Sequence, residues 1–534
     1  MDKYAEQALL EYSSEKTAAH PGGVAGRLFW NINASQFMYA PSFQFPWVPG
    51  SRGYRFTATD KNGVDHTFDA DAPTASLAPI WTEIADGFVT LRVESLGRSK
   101  NACYLIGART FYKSAPFPGR EALPKRARSY REAALAAYRF IYEDEMTQYW
   151  LKHGKPKPDY AHNVYPAKMI SSIIHGMVKY ATLEPERAES AILLARRAAD
   201  YLISISFPAG HPLEGLPPTY SFEGLDPEAV NPVAPAAQNC VGTTMMIYPV
   251  SAAMGYLDLA EATKDEKYFN AALTIANYYK NNQHPSGSWY LLYDCESGKP
   301  LKDNLCVDFK FVDFFHKLYE ITKDEIWQEL EIKNYKFITE TCLKNYNWEG
   351  QFEDVAVSGN YRNLTHFTAN NLISYIAQNL RDDEQMVAEA ADMMRFVEDQ
   401  FVLWGEYPDW SAVDTSDRSN EKKSVHHNEA KDHHTPAGLE QYFCYVPIDA
   451  SSAQIMRGFM SMYSLTSDRL YLEKAMALAD TITRMQDPDT GMVPTFFIGD
   501  NCAYGRFNFW LNCQMYSAST LLALAELTEA EGIE

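Results

Sequence analysis

The stretch that decides the architecture runs Gly255-Tyr256-Leu257-Asp258-Leu259-Ala260, turns at Thr263-Lys264-Asp265-Glu266, continues Tyr268-Phe269-Asn270-Ala271-Ala272-Leu273-Thr274-Ile275-Ala276, and closes on Ser286-Gly287-Ser288-Trp289-Tyr290. Its apolar residues recur at helical spacing on both sides of a polar turn, so it reads as a helix hairpin followed by a Gly-Trp loop. The same unit returns from Phe315 to Glu320, with a turn at Lys323-Asp324, a second helix from Ile332 to Leu343, and the loop Asn347-Trp348-Glu349-Gly350. It returns again from Gly458 to Leu465, with Ser467-Asp468, Tyr471 to Ile482, and a closing loop from Asp487 to Phe497. One such pair cannot bury its apolar face alone, so repetition implies stacked hairpins.

Working outward, helical stretches are expected to begin near 129, 164, 186, 240, 266, 307, 324, 366, 383, 449, 468 and 511. The start near 129 carries a capping box, Ser129 with Glu132. Twelve helices in six hairpins predict a mostly α chain closed into an (α/α)6 toroid. An open superhelix is the rival, but the long non-helical stretches at about 210–237 and 404–448 break its regularity. Long loops on a rigid scaffold are where sites are built.

Residues before the helices differ in character. Residues 1–25 read as a helical arm, Tyr4 to Tyr12, ended by His20-Pro21-Gly22-Gly23. Residues 26–118 carry short alternating runs: Tyr54 to Thr59 meeting Asp60-Lys61-Asn62-Gly63, then Thr67 to Ala70, Gly87 to Val93 and Ala102 to Gly107. That spacing predicts a small N-terminal β-sandwich of fibronectin III or immunoglobulin-like type. The toroid is then expected over 119–534.

Composition narrows the function. The 534 residues carry a net charge of -21, with 46% hydrophobic and 13% aromatic residues. A globular chain without a basic stripe is a poor nucleic-acid partner. The 8 cysteines form no CxxC pair, so a zinc knuckle is not expected. No run long and apolar enough to span a membrane occurs. The opening residues lack a signal peptide, which predicts a cytoplasmic chain as given, or a secreted or periplasmic one if a leader was trimmed. P-loop, Rossmann, GxSxG and HExxH motifs are absent.

With its helix count and the loops Gly287-Ser288-Trp289, Trp348-Glu349-Gly350 and Trp404-Gly405-Glu406, the region 129–534 resembles the six-hairpin glycosidase superfamily and its toroidal polysaccharide-lyase relatives. The resemblance implies a funnel of aromatic and acidic loop residues that binds sugars. Uronic acid hydrolases, lyases and epimerases are nearest in character.

The loop residues supply chemistry for both acid and base work. Glycoside hydrolysis needs one protonated and one ionised carboxyl. Asp409 stands between Pro408 and Trp410, and an apolar setting favours the protonated form. Glu440 stands beside Gln441 and Tyr442, and Asp308 precedes a helix. These three are the expected catalytic carboxyls, although each also reads as a solvated or helix-start acid. Glu353-Asp354 is a further loop pair, and Asp449 reads as a cap. Tyr361, Arg362, Asn363 and His366, together with Tyr160, His162 and Asn163, are the expected substrate-binding groups, and they are also the base and acid set that a lyase or C5-epimerase requires. Gln238 and Asn239, and Arg506 with Asn508 and Trp510, extend the polar wall. Trp289, Trp348, Trp404, Trp410 and Tyr442 are the expected stacking rings. The His426-His427 and His433-His434 stretch reads as a solvated lid rather than a metal site, and no metal or cofactor is expected. The expected activity is removal of a uronic acid, such as glucuronic acid, from an oligosaccharide. The alternatives are a polysaccharide lyase or epimerase, and a non-catalytic glycan-binding protein.

Overall fold

The computed structural model describes residues 34–97, 102–226, 228, 237, 240–344, 346–353, 363–409, 433–442, 444–498 and 509–533. Helix dominates. In chain order the α-helices among these residues are α1 (Tyr130–Glu143), α2 (Glu145–His153), α3 (Pro166–Leu183), α4 (Ala188–Ser204), α5 (Ile247–Thr263), α6 (Glu266–Asn281), α7 (Lys310–Thr322), α8 (Glu325–Phe337), α9 (Phe367–Asn379), α10 (Glu384–Phe401), α11 (Asp449–Thr466), α12 (Arg469–Met485) and α13 (Leu511–Ala530). The helical stretch expected to begin near 129 is split at Asp144, which caps α2 by accepting from the Met146 N–H. The expected start near 240 falls at Ile247, because Thr243–Met245 is a strand instead.

The hairpins are α3–α4, α5–α6, α7–α8, α9–α10 and α11–α12. The sixth joins α13 to α1, so the two ends of the helical region close the ring. The inner helices are α3, α5, α7, α9, α11 and α13. Successive inner helices pack directly, except that α7 meets α9 through side chains: Phe309 and Tyr375 have ring centroids 5.3 Å apart, and Thr368 Oγ1 donates to the Val307 carbonyl at 2.8 Å. This is the (α/α)6 toroid that the periodicity predicts.

The repeat has a local cause. Three hairpins turn through Thr263-Lys264-Asp265, Thr322-Lys323-Asp324 and Thr466-Ser467-Asp468. Each threonine hydroxyl donates back to the preceding turn, at 2.6, 2.8 and 2.7 Å. The middle residue takes a left-handed φ of 55, 56 and 57°. Each aspartate then caps the next helix by accepting from the N–H two residues on. The glycine of the Gly-Ser-Trp loop is also required: Gly287 has φ +97°, and a Cβ there would lie 2.3 Å from the Lys333 carbonyl.

The tryptophans of these loops pack the hairpins. Trp289 is fully buried, stacked on Phe311 at 4.5 Å, and its indole N–H donates to the Tyr279 carbonyl at 2.8 Å. Trp348 is fully buried against Tyr346. Trp404 is buried against Phe117, and its N–H donates to Glu398 at 3.0 Å. Their expected role as sugar-stacking surfaces gives way to core packing, because none presents a ring face to solvent.

The N-terminal region is sheet-rich. Strands β1 (Gln36–Phe37), β3 (Tyr54–Thr59), β4 (Asp65–Ala70), β6 (Gly87–Leu96) and β7 (Ala102–Lys113) form one sheet in the order β1-β7-β6-β3-β4, with β1 parallel to β7. A separate antiparallel ribbon joins β2 (Ser42–Gln44) to β5 (Thr74–Ser76). The β3–β4 hairpin expected from Asp60-Lys61-Asn62-Gly63 is present, with Asp60 Oδ1 accepting from the Asn62 and Val64 N–H groups. An immunoglobulin-like sandwich is not established by these strands, since the second layer is only a two-stranded ribbon. The sheet region docks on the ring through α10. Asp399 Oδ1 accepts from the Met38 and Tyr39 N–H groups at 2.6 and 2.9 Å, and Gln400 donates to the Gln36 carbonyl at 3.0 Å. The expected arm, Tyr4 to Tyr12, lies outside the described residues.

Candidate functional site at the mouth of the ring

All six inner helices enter the ring from the same end, so the residues just before α3, α5, α7, α9, α11 and α13 converge there. Six positive helix ends make this mouth favourable to anions. Two lysines add to that field. Lys168 lies in the first turn of α3 and Lys310 is the first residue of α7. A cation in a helical first turn opposes the helix dipole, so both positions need another reason.

Each lysine has a carboxylate partner. Lys168 Nζ bonds the Glu353 carboxylate and lies 4.6 Å from the Trp510 ring centroid. The Tyr248 hydroxyl also donates to Glu353, and the Tyr220 hydroxyl donates to the Glu353 carbonyl at 2.9 Å. Lys310 Nζ lies 3.2 Å from Asp308, whose other oxygen accepts from the Lys310 N–H at 3.0 Å. Burial works against the Lys310 ammonium, Asp308 favours it and Lys168 opposes it, and the net direction is up. Asp313, one turn below Lys310, has its carboxyl pushed up to about 7 by burial, by the Asp308 charge and by Glu331.

The opposite wall holds Asp449 and Glu440. Asp449 is fully buried and accepts from the Ser517 hydroxyl at 3.0 Å and the Ala450 N–H at 2.7 Å. Burial, with Glu440 nearby, pushes its carboxyl well up. Asp449 is therefore more than the cap its position suggests; the N-cap residue of α11 is Ile448. Glu440 is half-buried. Burial pushes the Cys513 thiol well up, and the Asp449 charge adds to it.

The expected binding residues divide into several groups. His162 stacks on the half-buried Trp510 at 3.9 Å, and its imidazole is pushed down to about 3 by burial and by Lys168. Tyr160 lies beside it, its hydroxyl accepting from the Leu511 N–H at 3.3 Å. Asn163 is buried, with Oδ1 lacking a partner. Asn363 is buried and serves the scaffold, donating to Gln441 at 2.9 Å and to the Gly350 carbonyl at 3.2 Å. His366 is fully buried, bonded through Nδ1 to Asn370 at 3.0 Å and pushed down to about 3 by burial. Tyr442 is buried, its hydroxyl donating to Gln400 at 2.7 Å. Asp409 is exposed. Tyr361, Arg362, Gln238, Asn239, Trp410, Arg506 and Asn508 lie outside the described residues, as does most of the histidine-rich stretch. His433, at its end, stacks on Tyr407 at 4.0 Å. Among the described residues no group of three His, Cys, Asp or Glu is placed to hold a metal, and no helix is long and apolar enough to cross a membrane.

Lys168, Tyr248, Lys310 and Asp313 were not singled out as site residues by sequence reasoning, whereas Trp510 was expected on the polar wall. The first-turn lysines were the available signal, because they contradict helix electrostatics. Asp313 carried none, since a helical aspartate in a first turn is ordinary.

No family model matches this sequence, and no curated protein matches it. Among solved structures, the chain is similar to a family 76 glycoside hydrolase from a bovine Bacteroides thetaiotaomicron strain, at 10% identity over 91% of this chain and 96% of that one, TM-score 0.47. It is similar to cellobiose 2-epimerase from Spirochaeta thermophila, at 12% identity over 75% and 98%, TM-score 0.45. It is similar to an unsaturated glucuronyl hydrolase specific for heparin, at 8% identity over 75% and 98%, TM-score 0.44. At such identities and scores the likeness says nothing of this chain's own reaction.

Proposed function

We propose that the chain is a carbohydrate-active enzyme, a glycoside hydrolase that removes a uronic acid such as glucuronic acid from an oligosaccharide at the mouth of the ring. The observation that carries the reading is the pair of first-turn lysines, Lys168 of α3 and Lys310 of α7, at the same end of the ring in a chain of net charge -21. Cations set at helix N-termini, inside an otherwise acidic protein, suit a single carboxylate-bearing sugar and not a neutral one. Asp313, with its carboxyl near 7, is suited to act as general acid. Asp308, ion-paired to Lys310, is the partner carboxylate. Trp510, half-buried and stacked on His162, borders the site beside Lys168. Glu440 and Asp449 form the second acidic wall.

The test is hydrolysis of an aryl β-glucuronide against the matching aryl β-glucoside. Preference for the glucuronide, lost in Lys310→Ala, is the expected result. Equal rates on both, or no release from any uronate-containing oligosaccharide, would overturn the reading.

One observation favours a second reading, lyase or epimerase chemistry. Burial keeps the His162 imidazole neutral beside the Lys168 ammonium, and a neutral base next to a carboxylate neutraliser is what abstraction of the uronate C5 proton requires. It predicts an unsaturated, ultraviolet-absorbing product, or exchange of that proton with deuterated solvent.

A further inference from the structure

Two turns below the mouth, a second ionic group runs along the lumen wall. Asp258 on α5 takes one hydrogen bond from His175 Nδ1 of α3 and another from Lys317 Nζ of α7. None of the three belongs to the acid-base set at the mouth. Their side chains are 24%, 40% and 26% exposed respectively, so the group lines the lumen rather than the core between helices. Burial would raise the Asp258 carboxyl, but His175 and Lys317 hold it down to about 2, so it stays an anion between two donors.

The register is informative. His175 follows Lys168 by seven residues on α3, and Lys317 follows Lys310 by seven residues on α7. Seven residues are close to two helical turns, so each pair shares one face at a separation of about 10 Å along its axis. The two mouth lysines and the two Asp258 partners therefore form parallel columns on α3 and α7. The helix between them, α5, contributes the shared carboxylate and, at the mouth, the Tyr248 hydroxyl that donates to Glu353. With α3 packed on α5 and α5 on α7, rotation of either lysine-bearing helix would break one of the Asp258 bonds.

We infer that Asp258 is a positioning residue: it fixes α3 and α7 about α5, and so sets the gap between Lys168 and Lys310 that selects a carboxylate-bearing sugar. This rests on the reading of those lysines as the carboxylate clamp. Asp258 touches no reacting atom in this account. Its effect is on recognition of the charged group.

The experiment compares Asp258→Asn, Asp258→Glu, His175→Gln and Lys310→Ala in the full chain, with circular dichroism confirming retained helix. The kinetic pair is aryl β-glucuronide and aryl β-glucoside, and free glucuronate is the calorimetric probe. Asp258→Asn is expected to raise KM for the glucuronide about tenfold, equivalent to roughly 1.4 kcal/mol. It should leave kcat within about twofold and weaken glucuronate binding in parallel. Asp258→Glu should restore part of the loss, and His175→Gln should give a smaller rise because Lys317 remains. A merely structural role would lower kcat on both substrates alike, and that result would overturn the inference. If Lys310→Ala weakens glucuronate binding while Asp258→Asn leaves it unchanged, the strut fails and the clamp stands. If Lys310→Ala has no effect on binding, the clamp itself fails.

Discussion

Replacing Lys168 with methionine separates the charge of this residue from its packing. The stem length is kept and the ammonium is lost. Its partner Glu353 has a fully buried side chain, and that of Lys168 is only 17% exposed. Removing one member of a buried ion pair typically costs about 3–5 kcal/mol, because the other charge is left uncompensated. Glu353 keeps the Tyr248 hydroxyl donor, and one hydrogen bond to a charged acceptor is worth roughly 1.5–3 kcal/mol. The loss should therefore sit at the low end, about 3 kcal/mol. A chain of this size does not unfold in one step, so the suitable assay is native-state hydrogen exchange of the hydrogen-bonded α3 amides from Met169 onward, the first of which donates to the Tyr165 carbonyl at 3.0 Å. About 3 kcal/mol corresponds to roughly a hundredfold loss of protection, since each 1.36 kcal/mol is a factor of ten. Adding Glu353→Gln to Lys168→Met removes the stranded charge and should recover most of that protection. Additive single effects, with a coupling below about 0.5 kcal/mol, would refute the buried-pair reasoning.

Three further outcomes follow from the geometry. Asp313→Asn should abolish most hydrolysis; in the unmodified chain the rate should fall as pH rises past about 7, where the Asp313 proton is lost. A pH-rate profile without that alkaline limb would remove Asp313 from the acid role. Trp289→Ala should destabilise by about 3–5 kcal/mol as a core cavity, without any selective change in glucuronide KM. A selective KM effect in a folded variant would restore the stacking role. His162 and His366 titrate near 3 in the fold against about 6.5 unfolded, so between those values the unfolded chain binds more protons. Each histidine's contribution is complete above about 6.5 and is lost toward 3, at up to roughly 1.4 kcal/mol per pH unit. His366→Gln should flatten the acid side of a melting-temperature profile, and an unchanged slope would contradict neutral burial.

Much of the architecture was legible before any coordinates. The Thr-Lys/Ser-Asp turns, the amphipathic spacing and the Ser129 capping box are local signals, and local hydrogen bonds satisfy them in the fold. The loops before the inner helices were also legible as the place for a site, because Tyr160 to Tyr165, Asp308 and the stretch around Glu440 are polar and aromatic where helices begin. The tryptophans misled for a physical reason: a Gly-Trp loop has the same composition whether its ring faces a cleft or the hairpin beneath it, and here Trp289, Trp348 and Trp404 face the hairpins.

By itself, then, the sequence determined the repeated hairpin, the count of stacked units and the acidic, aromatic character of the loops, since these depend on spacings of a few residues. Only the tertiary structure decided that α13 closes on α1, that Lys168 meets Glu353 across 185 positions, and that Asp308, Lys310 and Asp313 lie at the same end of the ring as Lys168. Those pairings are set by the curvature of the closed ring. Curvature accumulates over all six hairpins, so no single stretch of the chain encodes it.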